Sequence, residues 1–159
     1  MKELIEIIKY RFIWVNMLLV VLSSALMFEY KVFSLMTFVL VINLYDILGY
    51  HFTLIRRSTQ LPEKVIIKAY RIHQLIFEVL VSVLLGLLIG WTYSISCGIL
   101  KWFGTQDILY YLFLKKELPK KFTWLKWTPF GIIKGDLSKF EVIFQVVIGI
   151  ILALMVIIL

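Results

Sequence analysis

The chain has 159 residues, of which 62% are hydrophobic and only 17% are charged, and its mean hydropathy is +0.95. Soluble domains contain about 45–50% apolar residues, so the composition excludes an ordinary soluble domain and predicts a membrane protein with apolar spans of about 20 residues. In a soluble chain the net charge of +7 would suggest nucleic-acid binding. Here the basic residues cluster between apolar segments, where they orient the chain and attract anionic lipid headgroups, so nucleic acid is not an expected partner.

Five apolar segments predict an all-α polytopic transmembrane helix bundle that forms a single domain over residues 1–159. The fourth segment has thirteen residues, too few for an ordinary span, so it is predicted to be a short or broken helix shielded by its neighbours. A basic and aromatic loop at the membrane interface is predicted at 115–139. The predicted membrane segments are 12–28, 33–55, 72–100, 102–114 and 140–159.

The distribution of Lys and Arg residues predicts how the segments are oriented. If segment 102–114 returns the chain to its starting side, fifteen of the 17 Lys and Arg residues flank the inner ends and only Lys31 and Lys101 lie outside. If the segment does not return, the two sides carry eight and nine. The positive-inside rule favours the first arrangement. It predicts a multi-pass protein of the cell membrane with its N-terminus inside and its C-terminus outside.

Polar side chains form a stripe on the second predicted segment. At 100° per residue these side chains fall within a sector of about 80°, whereas His51 points about 100° away from the middle of the sector. One face of this helix is therefore predicted to line a polar site. The stripe consists of Asn43, Asp46, Tyr50, Thr53 and Arg57.

The third predicted segment carries a second polar face. Its members are spaced three, four and four residues apart, and they are Arg71, Gln74, Glu78 and Ser82. Residues at these spacings lie on one side of a helix, and we expect that side to face the stripe of the second segment. Further along, Gly86 and Gly90 form a G-x-x-x-G pattern, which lets another helix approach closely.

Capping residues predict where the last two helices begin. Thr105 precedes the short fourth segment and is a predicted N-cap. Ser138 and Glu141 match the S-x-x-E capping box, which predicts that the final helix begins there.

Charged side chains within apolar segments cost about 2.5–3.5 kcal/mol on insertion scales, so they usually face the protein interior and serve a function. We therefore predict that Asp46, Glu78 and Asp107 are the acid/base groups of one polar site inside the bundle. Two carboxylates in a cavity of low dielectric cannot both stay charged at low cost, so one of them is expected to hold a proton. The predicted substrate-binding residues are Asn43, Tyr50, Gln74, Tyr110 and Tyr111.

Two histidines make a divalent metal a candidate cofactor. His51 and His73 are suitable ligand types, and Asp46 and Glu78 could complete the set. The chain contains no H-x-x-x-H or E-x-x-H spacing, so no sequence pattern supports the site. Haem between two histidines is not expected, because the two side chains are predicted to differ in depth and orientation.

Each acid also has a purely structural interpretation. Asp46 could pair with Arg57 on its own helix. Glu78 could pair with Arg71 or with a residue of the second segment. Asp107 could simply complement the dipole of the helix near whose start it lies.

The leading functional hypothesis is a small membrane-embedded enzyme that acts on a lipid or isoprenoid-type substrate by general acid/base or metal-assisted chemistry. A hydrophobic substrate can reach an intramembrane site sideways from the bilayer. Two alternatives remain open: a proton- or cation-coupled transporter or channel subunit, and an accessory subunit of a larger membrane complex. A homo-oligomer is compatible with each of these hypotheses.

Overall fold

The computed structural model describes residues 11–49 and 63–159, and these ranges contain seven helices and two short strands. The all-α prediction is thereby confirmed. In chain order the helices are α1 (Arg11–Leu26), α2 (Phe33–Asp46), α3 (Glu63–Leu88), α4 (Trp91–Trp102), α5 (Thr105–Phe113), α6 (Pro129–Lys134) and α7 (Lys139–Ile158), and the strands are β1 (Lys121–Phe122) and β2 (Leu137–Ser138).

α1 and α2 pack against each other and are joined by a tight turn. The turn is closed by a hydrogen bond from the backbone N–H of Tyr30 to the carbonyl of Leu26, at 2.7 Å. Beyond Asp46 the helix widens into a π-helical turn at 47–49. The remainder of the predicted second segment, 50–55, lies outside the described residues.

The predicted third segment, 72–100, is broken in the structure. α3 ends at Leu88 and α4 begins at Trp91, and the chain reverses at Gly90, whose φ of 134° and ψ of 147° lie in a region that essentially only glycine adopts. The Trp91 ring then lies over Gly86, where an added Cβ would sit 2.6 Å from the ring. The G-x-x-x-G pattern therefore brings α4, the next helix of the chain, close to α3 in a helical hairpin.

α4 runs back along α3 after this reversal. The hydroxyl of Ser94 donates a hydrogen bond to the carbonyl of Ser82 at 2.7 Å, which ties the two helices together near the turn. Further from the turn, Lys101 reaches Glu78. The sequence placed Lys101 at the outer end of the third segment, whereas the hairpin brings it back to the middle of α3.

A second break separates α4 from α5. Gly104 has a left-handed φ of 80° and is the N-cap of α5, in place of the predicted Thr105. α7 lies close to this break, since a Cβ added at Gly149 would sit 2.4 Å from the Cβ of Phe103. The Gln145 side chain donates to the Phe103 carbonyl at 3.0 Å and so satisfies an acceptor near the end of α4. The predicted short segment is thus the second half of a broken pair, α4 and α5.

Residues 115–138, here called the ribbon segment, pack against α5 and α7, and their position at the membrane interface stays a prediction. β1 and β2 pair in antiparallel fashion, and α6 lies between them in the chain. Phe122, Leu125 and Leu137 are buried in one cluster with Val142 of α7. Burial of these side chains stabilises the packing of the ribbon segment on the bundle.

The predicted capping box at the start of α7 is confirmed. The Ser138 hydroxyl accepts a hydrogen bond from the backbone N–H of Glu141, and the Glu141 carboxylate accepts one from the backbone N–H of Ser138 at 2.7 Å. The last helix therefore begins at the position that its sequence specifies.

Two helical stretches of the described ranges, Ile67–Leu88 and Lys139–Ile158, are long and apolar enough to cross a membrane. Both expose large apolar side chains, with Leu87 69% and Phe144 60% exposed. Extended apolar surface of this kind is rare on monomeric soluble proteins and supports a membrane location. α1 and the stretch Phe33–Gly49 are apolar but shorter.

Two hydrophobic clusters fix the elements that carry the candidate site. The first, where α2, α3, α4 and α7 meet, includes Phe38, Ile42, Leu85, Cys97 and Ala153. The second joins α1, α2 and the end of α5 and includes Ile13, Leu40, Ile47, Phe113 and Leu114. The C-terminal end of α2 and the short helix α5 are therefore held by packing on more than one side.

Candidate polar site

A cavity of about 350 Å³ lies where the C-terminal end of α2 meets α3, α5 and the ribbon segment. Charged and aromatic side chains from different elements reach it. Among the residues that the structure describes, the lining consists of Asp46, Ile67, Tyr70, Arg71, Gln74, Asp107, Tyr110, Tyr111 and Trp124. The fold thus brings together five residues that the sequence proposed for the site: Asp46, Gln74, Asp107, Tyr110 and Tyr111.

Asp46 ends α2 and accepts hydrogen bonds from two side chains of α3. The Gln74 amide donates to both carboxylate oxygens, at 3.0 and 3.2 Å, and the Tyr70 hydroxyl donates to one of them. Tyr70 and Gln74 share a face of α3 because they are four residues apart. Sequence reasoning missed Tyr70, although this spacing was a signal that could have found it.

Asp107 lies in the first turn of α5 and accepts a hydrogen bond from the indole N–H of Trp124 at 2.9 Å. Trp124 belongs to the ribbon segment and contributes to an aromatic group in the cavity. The ring centroids of Tyr111 and Trp124 are 6.4 Å apart, and those of Tyr110 and Tyr111 are 5.5 Å apart.

Glu78 is not among the residues that line the cavity, and it forms an ion pair with Lys101 instead. The Lys101 Nζ lies 2.8 Å from a Glu78 carboxylate oxygen, and the two side chains are only 15% and 14% exposed. Lys101 also donates to the side-chain oxygen of Gln106, which is buried. The ammonium group is close enough to Asp46 and Asp107 to interact with both electrostatically.

Two further predicted site residues, Asn43 and His73, do not line the cavity. Asn43 is fully buried on α2, and its amide has no hydrogen-bond partner within the described ranges. His73 is exposed, and its Nδ1 lies 2.8 Å from the Ala69 carbonyl on its own helix. Tyr50 and His51 lie outside the described residues.

The predicted divalent-metal site finds no support in the described part of the chain. Residues 11–49 and 63–159 contain no group of three or more His, Cys, Asp or Glu side chains placed to hold a metal ion. Within these ranges the acids near the cavity are instead held by protein donors, namely the Tyr70, Gln74 and Trp124 side chains and, for Glu78, Lys101.

An apolar groove of about 560 Å³ lies on the other side of α5. Leu109, Leu112 and Phe113 of α5 line it, whereas Tyr110 and Tyr111 line the polar cavity. The two sets fall on opposite faces of the helix because of its 3.6-residue period. The other walls of the groove come from α1, α2, α4 and α7 and are almost entirely apolar.

No protein-family model, curated protein or solved structure matches the chain. Its chemistry therefore has to be argued from its own residues. Two carboxylates beside hydrogen-bond donors and aromatic rings can exchange a proton with a bound molecule or hold a positively charged group. The apolar groove can accept a hydrocarbon chain.

Proposed function

We propose that the chain is a membrane-embedded enzyme in which Asp46 and Asp107 act as acid/base groups on a lipid or isoprenoid-type substrate. The observation that carries the proposal is the meeting of two carboxylates, from α2 and α5, in one cavity. A carboxylate held by neutral donors in a partly desolvated site can give or take a proton during a reaction. Glu78 has a structural role in this proposal, because its partner is Lys101.

The apolar groove supports a substrate that has a hydrocarbon chain. It borders α5 on the face opposite the cavity, so one short helix separates a polar site from an apolar one. Burial of each CH₂ group there would contribute about 0.8 kcal/mol. A substrate with its polar head in the cavity and its hydrocarbon chain in the groove would explain why one face of α5 is polar and aromatic and the other is apolar.

We further propose that the chain crosses the membrane five times, with α4 and α5 together forming one broken crossing. In this arrangement the reversals at Tyr30 and Gly90 lie outside, and the ribbon segment lies inside. Lys31 is then the one Lys or Arg of the 17 in an outer turn, and Lys101 lies within the bundle beside Glu78. The arrangement therefore agrees with the positive-inside rule more closely than the boundaries inferred from sequence.

Single cysteines introduced on a Cys97→Ala background test this topology. Tyr30→Cys and Thr92→Cys should react with a membrane-impermeant maleimide added outside intact cells, because Tyr30 is exposed in the turn between α1 and α2 and Thr92 is exposed in the first turn of α4, beside the reversal at Gly90. Trp127→Cys, also exposed, should react only after permeabilisation. Labelling of Tyr30→Cys and Thr92→Cys from opposite sides would contradict five crossings.

Conversion of a lipid in vesicles tests the enzymatic proposal. The purified protein is reconstituted into vesicles of phosphatidylcholine, phosphatidylethanolamine and phosphatidylglycerol supplemented with an isoprenoid alcohol, and the extracted lipids are analysed by mass spectrometry over time. A new product that forms only with protein is the expected result. Proton uptake by the vesicles without any converted lipid would favour transport and overturn the enzymatic proposal.

Leu112→Trp tests the role of the groove. Leu112 lines the groove and is 60% exposed, so the larger ring can be added without disturbing the core. We expect kcat/KM to fall about tenfold for a long-chain substrate, or about 1.4 kcal/mol, and to stay within about twofold for a short-chain analogue. Leu80→Trp is the matched control, because Leu80 is 57% exposed on α3 and lines neither site. Equal losses for both chain lengths would show that the groove does not hold the chain.

A further inference from the structure

Among the residues that the structure describes, acidic side chains outnumber basic ones in the lining of the polar cavity. Two carboxylates, Asp46 and Asp107, line it, and the one cationic side chain in the described lining is that of Arg71. Within the described ranges the donors that reach the carboxylates are the neutral groups of Tyr70, Gln74 and Trp124, and no salt bridge pairs either acid with a basic side chain. A positively charged occupant favours the ionised form of these acids and is attracted by it, whereas an anion is repelled, so a cation is favoured over an anion in the cavity.

Lys101 does not remove this imbalance. It is held by Glu78 at 2.8 Å and also donates to Gln106, and its side chain is 15% exposed. Its charge is therefore already matched by a third carboxylate, so the group formed by Lys101, Glu78, Asp46 and Asp107 has more acids than bases.

Aromatic rings in the same lining make the cavity suitable for a cation. Tyr70, Tyr110, Tyr111 and Trp124 contribute to the lining, and Tyr111 lies 5.5 Å from Tyr110 and 6.4 Å from Trp124 between ring centroids. The negative face of an aromatic ring attracts ammonium groups, above all quaternary ones, and a nearby carboxylate adds to this attraction. This combination of rings and acids distinguishes the cavity from an anion site.

Arg71 adds a second point of recognition. It is exposed, whereas Asp46 and Asp107 are half-buried, so the guanidinium lies nearer the protein surface than the carboxylates. Guanidinium groups bind phosphate through paired hydrogen bonds. The charged groups are therefore ordered to hold a zwitterion with its phosphate outward and its ammonium inward.

We infer that the cavity binds the headgroup of a lipid that carries both a phosphate and an ammonium group, with Arg71 on the phosphate and the carboxylates and aromatic rings on the ammonium. The inference rests on the proposed function, since it names the substrate class of the same site. A volume of about 350 Å³ is near the lower end of ligand pockets and suits a headgroup, while the hydrocarbon chains remain in the groove or in the bilayer.

Water-soluble headgroups test the inference without requiring turnover. The full chain in maltoside micelles is titrated with glycerophosphocholine, glycerophosphoglycerol or choline, and binding is followed by saturation-transfer difference NMR. We expect glycerophosphocholine to bind at least about tenfold more tightly than glycerophosphoglycerol, with saturation of its methyl protons by the aromatic rings. Equal or tighter binding of glycerophosphoglycerol would overturn the inference.

Two substitutions test the phosphate contact and the ammonium contact separately. Arg71→Gln, at an exposed position, should weaken glycerophosphocholine about tenfold and leave choline unchanged, because choline has no phosphate. Tyr111→Leu should weaken both ligands about fivefold or more, whereas Tyr111→Phe keeps the ring and should stay within about twofold. An equal loss of both ligands in Arg71→Gln would overturn the assignment of the phosphate. If Tyr111→Leu does not fold, the Arg71→Gln comparison decides the inference by itself.

The inference and the proposed function fail in different ways. Binding of glycerophosphocholine without conversion of any lipid in vesicles would keep the headgroup site and overturn the enzyme. Conversion of a purely anionic lipid, without selective binding of an ammonium group, would keep the enzyme and overturn the headgroup site.

Discussion

Replacing Asp107 with asparagine is expected to lower the turnover of the lipid substrate by about 10²–10⁴-fold, the range typical of general acid/base groups. Asparagine has nearly the same shape, and its side-chain oxygen can still accept the hydrogen bond from Trp124 that is 2.9 Å long in the native protein. It cannot, however, gain or lose a proton near neutral pH. The loss should therefore fall on kcat, with the thermal unfolding midpoint close to that of the native protein.

Three further substitutions test this interpretation of the Asp107→Asn result. Asp46→Asn should cause a loss of similar size, because Asp46 lines the same cavity. Asp136→Asn should have no effect on turnover, since Asp136 is exposed, lies outside the cavity lining and forms a salt bridge with Lys126 at 3.4 Å. Trp124→Phe removes the donor to Asp107 but keeps a ring, so it should cause an intermediate loss. Turnover of Asp107→Asn within about threefold of the native rate would exclude a proton-transfer role for this residue.

Replacing Lys101 with methionine is expected to destabilise the fold by about 3–5 kcal/mol, as when one partner of a buried ion pair is removed. Methionine has a similar length, but it leaves the Glu78 carboxylate without its cation at a side chain that is 14% exposed. It also removes the donor to Gln106. The measurement is reversible unfolding in bicelles, with the native protein and the variant compared at the same lipid concentration.

The double variant Lys101→Met/Glu78→Gln distinguishes an unpaired charge from lost packing. It removes both charges, so most of the stability should return, since pairs replaced by neutral groups are often nearly neutral in their effect. Lys126→Met is the matched surface control and should cost less than about 1 kcal/mol, because its pair with Asp136 is exposed. A double variant as unstable as Lys101→Met would show that the pair is not the source of the loss.

Helical periodicity was sufficient to predict much of the candidate site. The spacing of polar residues identified one face of the second segment and one of the third, and the structure places Gln74 of the third against Asp46 of the second. Periodicity could do this because each helix fixes the direction of its own side chains. The capping box at Ser138 was predictable for the same reason, since both of its partners lie within one turn.

The sequence could not predict where the chain reverses direction. An apolar run through Gly86 and Gly90 has the same composition whether it continues across a membrane or turns back, and the turn depends on the Trp91 ring packing over Gly86. The predicted segments 72–100 and 102–114 left Lys101 between them, so the sequence assigned Lys101 to the outer surface. Its pairing with Glu78 was therefore missed.

The sequence also could not predict that the ribbon segment contributes a residue to the candidate site. Trp124 reaches Asp107 from seventeen residues away, and between the end of α5 and Trp124 the one regular element is the two-residue strand β1. Such a contact leaves no periodic pattern in the sequence. Basic and aromatic composition alone predicts a position at the membrane interface. Burial of Phe122 and Leu125 in a tertiary cluster fixes the position of Trp124 between them.

The helical hairpin at Gly90 has a consequence for how the protein is made. Glu78 and Lys101 lie on consecutive helices, so their charges can neutralise each other as soon as α4 has left the ribosome, before α5, the ribbon segment or α7 exists. Two apolar helices that carry a matched acid and base can then leave the translocon together, and neither charge has to enter lipid alone. Biogenesis of the bundle would in that case depend on the order of synthesis as much as on the final packing.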